Sequence, residues 1–185
     1  MKAILASVLG ALVLFIWGFI SWAALPFHTS TMHALSNEDS VAAVIKAGNA
    51  SSGVYQFPSM NGPNKEGAEA KWHAGPMAMI FYSTEGMNNM SMYFIKGFIV
   101  YIIAVWIAVM MLSKISWSLA SYGNRVRFMS MIGLILAVGG RLNDWAFMHF
   151  PTDFSLLLAA DDVIGWTLAG LVVARIIKPA IMKAA

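Results

Sequence analysis

Apolar positions in this chain gather into four long runs, at 4–25, 93–112, 128–148 and 154–177, separated by short polar breaks and by one long polar segment at 26–92. Each run is near the roughly 20 residues needed to cross the hydrocarbon core of a bilayer. The pattern predicts an all-α membrane protein, a bundle of four transmembrane helices. The chain divides into a first helix at 1–25, a polar segment at 26–92, and three closely spaced helices with a short loop and tail at 93–185. The first run is longer than the apolar region of a signal peptide, about 7–15 residues, and is read as a retained helix.

The polar segment carries its own signals. Ser36-Asn37-Glu38-Asp39 is followed by Val41, Val44 and Ile45 at helical spacing. This predicts a short helix ending near Gly48, with Ser36 as its cap and Asp39 completing a capping box. VYQF at 54–57 and MAMIFY at 77–82 are β-prone, and the stretch between them, 59–75, reads as a polar loop. The segment is expected to form a small α+β cap of one helix and a hairpin. A hairpin alone is marginal in water, so it would rest on the bundle or a partner.

Charge then sets an orientation. Only 11% of residues are charged and 59% are hydrophobic, with a net charge of +3. With the N-terminus inside, Lys2, Lys114, Arg125, Arg127, Arg175, Lys178 and Lys183 fall on the cytoplasmic side with no acidic residue among them. Both termini are therefore expected in the cytoplasm and the polar segment outside it, in a bacterial inner membrane the periplasm. These cations flank apolar spans, which accounts for the basic balance without nucleic acid. The absence of cysteine excludes disulfides, thiolate chemistry and iron–sulfur ligation.

Candidate chemistry lies in two places. His28, His33, His73 and His149 all fall at or beyond the outer boundary in this orientation, and imidazoles with nearby methionines such as Met32, Met77 and Met87 are the ligand types of zinc or copper. Their spacing matches no established ligand motif. The other place is GRLNDWAFMHF, which sets Arg141, Asn143 and Asp144 inside an apolar run. Pro151 breaks that run, and Thr152 or Asp153 is placed to cap the next. Counting about ten residues either way from the turn, roughly 15 Å at about 1.5 Å per residue, sets Arg141 level with Asp161 and Asp162. Adjacent aspartates point about 100° apart, so one is expected to face Arg141, with Asp144 on the same face of Arg141's helix. Charges at such depth are usually inward, paired and functional. The inner half offers only Ser113, Ser116, Ser130 and Thr167 to continue a polar path.

Small residues, Ser7, Gly10 and Ala11, then Gly133, Gly139 and Gly140, then Gly165, Ala169 and Gly170, are placed to let helices approach closely. One span, a long outer segment and three more spans resembles the layout of tetraspan proteins such as the claudins. The chain lacks that family's cysteine pair, so no residue role carries over. The sequence therefore predicts a small integral membrane protein, more a non-catalytic accessory subunit than an enzyme, whose partners are the lipid bilayer and other membrane subunits or a second copy. The alternatives are a metal-binding or redox accessory using the histidines, and a small proton or ion carrier using Arg141, Asp161 and Asp162.

Overall fold

The computed structural model describes residues 1–48, 51–61 and 65–179. Lys183 of the basic set and residues 62–64 of the polar loop lie outside them. Four helices are long and apolar enough to cross a membrane: α1 (Lys2–Ala24), α4 (Met90–Ile115), α5 (Tyr122–Met148) and α6 (Thr152–Ile176). Between α1 and α4 come α2 (Glu38–Gly48), β1 (Gly53–Phe57), α3 (Ala68–Ala74) and β2 (Ala78–Tyr82). Two compact units result, one of residues 1–33 with 91–185 and one of residues 34–90.

The smaller unit is a helix followed by an antiparallel hairpin in which Gly53 pairs with Tyr82 and Phe57 with Ala78. Its cap differs from the expected one by a residue. Asn37 rather than Ser36 accepts the Ser40 amide, at 3.4 Å, so the helix starts one position later and Asp39 no longer sits where a capping box needs an acid. The expected polar loop contains α3, whose Ala68 is buried and whose Trp72 Nε1 donates to Pro58 O at 3.0 Å. The run Ala68-Glu69-Ala70-Lys71 is made of helix formers, a propensity that the surrounding turn residues masked.

The larger unit is held by an apolar core drawn from all four long helices, with Ala6, Ala11 and Leu14 of α1, Val105, Val109 and Leu112 of α4, Met129 of α5 and Ala169 and Val173 of α6. Glycine makes the close approaches possible. A Cβ on Gly133 would lie 2.8 Å from the Asp162 carbonyl oxygen and 3.1 Å from Val163 Cα, so α5 and α6 meet there backbone to backbone. On Gly170 it would lie 2.8 Å from Met129 Cβ, and on Gly10 2.8 Å from methyls of both Val105 and Val173. Gly139 and Gly140, expected to serve the same purpose, have nothing within 4 Å of a built Cβ. They sit instead in a π-helical turn, Ala137–Arg141, in the middle of α5.

At the end of the unit away from His28, Arg125 is buried with 5% of its surface exposed. Its guanidinium donates to the carbonyls of Leu119 at 2.9 Å, Ala120 at 2.8 Å and Ala174 at 3.3 Å. One basic residue thus ties the α4–α5 turn to the last turn of α6, where helix carbonyls lack intrahelical partners.

Gly133→Ala should destabilise the protein by about 1–3 kcal/mol, because neither backbone atom it meets can swing aside. Gly140→Ala should stay within about 0.5 kcal/mol of the parent. Thermal unfolding of the two variants in the same detergent checks the contrast; equal losses would mean that the α5–α6 contact does not limit stability.

Candidate functional site

The polar residues of the larger unit converge where two π-helical turns face α6. In the first, Ile20–Ala24, the backbone widens so that Leu25 N–H bonds to Ile20 O at 2.9 Å, five residues back. In the second, Leu142 N–H bonds likewise to Ala137 O. Such turns shift every later side chain around the helix axis and recur at functional positions. The first delivers Ser21 and Trp22, and the second delivers Arg141.

After the first π turn the chain reverses. Leu25 is extended, as a residue before proline tends to be, and Pro26 O accepts Ser30 N–H at 3.0 Å. This turn folds His28 back against α1, where it is 1% exposed. Trp22 covers one face of the imidazole, with ring centroids 3.9 Å apart and planes within 5°. Ser21 Oγ lies 2.9 Å from His28 Nε2 and donates to Asp161 Oδ1 at 2.7 Å. Asp161 Oδ2 is 3.7 Å from the same Nε2.

The proton placement follows from this geometry. Ser21 has one hydroxyl hydrogen, directed to Asp161, so its oxygen accepts from His28 Nε2–H. Nδ1 of the neutral ring then carries the lone pair. Nδ1 is buried with no hydrogen-bond partner among the described residues, as is Trp17 Nε1. Both side chains line a cavity of about 160 Å³ that also touches Ser21 and Asp161.

Serine, histidine and aspartate in contact invite comparison with a hydrolytic triad, but the arrangement is different. In a triad the serine and the carboxylate engage opposite ring nitrogens, so that the base relays the serine proton. Here both engage Nε2, and the serine proton is committed to the carboxylate. Serine and carboxylate therefore share one ring nitrogen, and the relay geometry of a triad is not formed.

The neighbouring aspartate has a separate partner. Arg141 Nε donates to Asp162 Oδ2 at 2.9 Å in a part-exposed pair. The two aspartates thus serve different groups, Asp162 the arginine and Asp161 the serine and histidine. Asp144, expected on Arg141's face, forms no ion pair with it among the described residues, because Asp162 draws the guanidinium toward α6. Asn143 is exposed. Pro151 is the N-cap of α6; Asp153 Oδ1 accepts the first-turn Phe154 N–H at 2.9 Å, and Thr152 Oγ1 accepts from Trp145 Nε1 at 3.0 Å.

Of the histidines expected to share a site, His28 alone is buried. His33 and His149 are exposed in the larger unit, His149 closing α5 in a left-handed conformation at φ 55°, and His73 is exposed at the end of α3 in the smaller unit. Among the described residues no group of three or more His, Asp or Glu side chains is placed to hold a metal ion. Sequence reasoning missed Ser21 and the inward return of His28. The Pro26 break was its visible signal, and nothing local in the sequence marks the direction of the return. The chain matches no known family model, no curated protein and no solved structure.

Ser21→Ala removes the group that Nε2 and Asp161 share, and should cost about 0.5–2 kcal/mol. Asp162→Asn weakens a pair whose arginine is 42% exposed and should cost no more than about 1 kcal/mol. Detergent unfolding of both variants measures the order, and a larger loss for Asp162→Asn would contradict the burial argument.

Proposed function

We propose that this is an integral membrane protein with both termini in the cytoplasm, whose Ser21–His28–Asp161 cluster binds and releases a proton near the extracytoplasmic end of the bundle. The observation that carries the reading is a fully buried imidazole with one nitrogen engaged by Ser21 and Asp161 and the other left without a partner. A buried polar atom without a partner is costly and uncommon, so it marks a place that a proton or a small hydrogen-bonding group would satisfy. A proton taken up at Nδ1 places its charge 3.7 Å from a carboxylate already oriented by Ser21.

The exchange is one-sided. Toward the other end the core is Val105, Val109, Leu112, Met129 and Val173, and the buried Arg125 beyond them is committed to the carbonyls of Leu119, Ala120 and Ala174. The hydroxyls there are tied locally, with Thr167 Oγ1 2.8 Å from Ser130 Oγ and Ser113 donating to Val109 O at 2.7 Å. A continuous proton path across the bilayer has no support in that region, so the cluster serves a proton or ligand that enters and leaves at one end.

Histidine-labelled protein carrying His33→Gln, His73→Gln and His149→Gln leaves His28 as the sole imidazole for magnetic resonance. Its ring nitrogen signals should pass reversibly from the neutral to the charged form with pH. Signals constant across the whole pH range in which the protein stays folded would refute proton binding.

Orientation is open to a direct check because the chain lacks cysteine. In intact cells an impermeant maleimide should label Lys71→Cys and spare Lys178→Cys, both exposed positions. The reverse pattern would invert the topology.

A further inference from the structure

Next to the His28 cluster, between α1 and α4, lies a second cavity of about 480 Å³. Its walls are Phe15, Phe19, Trp22, Phe94 and Tyr101, and it opens where Gly18 presents no side chain. A Cβ on Gly18 would meet only the Tyr101 hydroxyl, at 3.6 Å. Phe15 meets Phe94 edge-on with centroids 6.1 Å apart, and meets Phe98 in the same way at 5.5 Å, which fixes one wall. Phe19, Trp22 and Phe94 are each roughly half exposed, so the mouth faces the surroundings of the helices, which in a membrane is lipid.

One group in this cavity is out of place for a hydrocarbon occupant. The Tyr101 hydroxyl makes no hydrogen bond among the described residues, although the ring is half-buried and lies within electrostatic reach of Asp161, Asp162 and Arg141. The hydrocarbon of an acyl chain would satisfy the aromatic walls and offer that O–H no acceptor. A flat ring bearing a carbonyl satisfies both, stacking against the aromatic walls and accepting from Tyr101. A cavity of about 150 Å³ already holds a benzene-sized ring. The remaining volume accommodates substituents and the start of a tail leaving through the mouth.

We infer that this cavity binds the head ring of a lipid-soluble quinone, with the Tyr101 hydroxyl donating to a ring carbonyl. Trp22 lines the cavity with its ring and is also stacked on His28, so the bound ring would sit one side chain away from the buried imidazole. The inference rests on the membrane placement of the helices and does not require His28 to titrate.

Titration calorimetry of the full chain in lipid nanodiscs tests it with two probes, a short-tailed benzoquinone and an alkylbenzene with the same tail. The quinone should bind saturably, and Tyr101→Phe should weaken it by about 3- to 10-fold while leaving the alkylbenzene unchanged. Gly18→Leu, which fills the cavity, should abolish binding of both. Equal affinity for the two probes with no effect of Tyr101→Phe would show a cavity for hydrocarbon only, and quinone binding that survives Gly18→Leu would place the ligand elsewhere; either overturns the inference. Should Gly18→Leu fail to fold by circular dichroism, the Tyr101→Phe comparison decides alone.

Discussion

The backbone of α6 at Asp162 and Val163 lies against Gly133 of α5 so closely that no larger residue fits without displacement. That contact settles which way the two adjacent aspartates point. With the Asp162 carbonyl held on α5, the Asp162 side chain reaches Arg141 farther along the same helix, and Asp161, about 100° around α6, is turned toward α1. A looser contact would leave the rotation of α6 free, and neither carboxylate would have a defined partner. In hydrocarbon that is a severe constraint, because water cannot substitute for a missing partner. The ion pair and the histidine cluster therefore depend on one glycine that carries no chemistry itself.

The two π turns solve a related problem. A regular helix through Ser21 or Arg141 presents a different face from the one the rest of its length commits to packing. One extra residue in a turn re-aims the following side chains without breaking the helix, at the cost of a poorer local hydrogen bond. In α5 that turn contains Gly139 and Gly140, whose sites have open space around them. Their role is in the backbone of the turn, and the close helix contacts belong to Gly10, Gly133 and Gly170. The two kinds of glycine look alike in a sequence because the same absent side chain serves both purposes.

The long helices were legible because the bilayer imposes length and composition together, and both can be counted. The level of Arg141 with the aspartates followed from rise per residue and the Pro151 turn, since a tight hairpin leaves little freedom. What could not be read was anything that depends on rotation. Which aspartate faces the arginine and whether Asp144 joins them are decided by contacts many residues away in sequence, and where His28 lies by the direction of the Pro26 turn, which no local residue pattern marks. The missed helix at Ala68–Ala74 has the opposite cause, a local propensity hidden by the glycines and prolines around it.

His28 shows why position along a chain is a poor guide to depth. It follows the first apolar run, so hydropathy sets it at the boundary with the other histidines. Yet Pro26 reverses the chain within a few residues, and the imidazole ends up more buried than most of the helix it follows. Burial separates it chemically from His33, only five positions on and exposed. A boundary histidine is surrounded by solvent. One held under Trp22 against Ser21 and Asp161 touches only a few groups, and Trp22 is the residue it shares with the aromatic cavity. A single tryptophan therefore forms one wall of each, which makes the packing of the aromatic cavity and the burial of the imidazole depend on the same side chain.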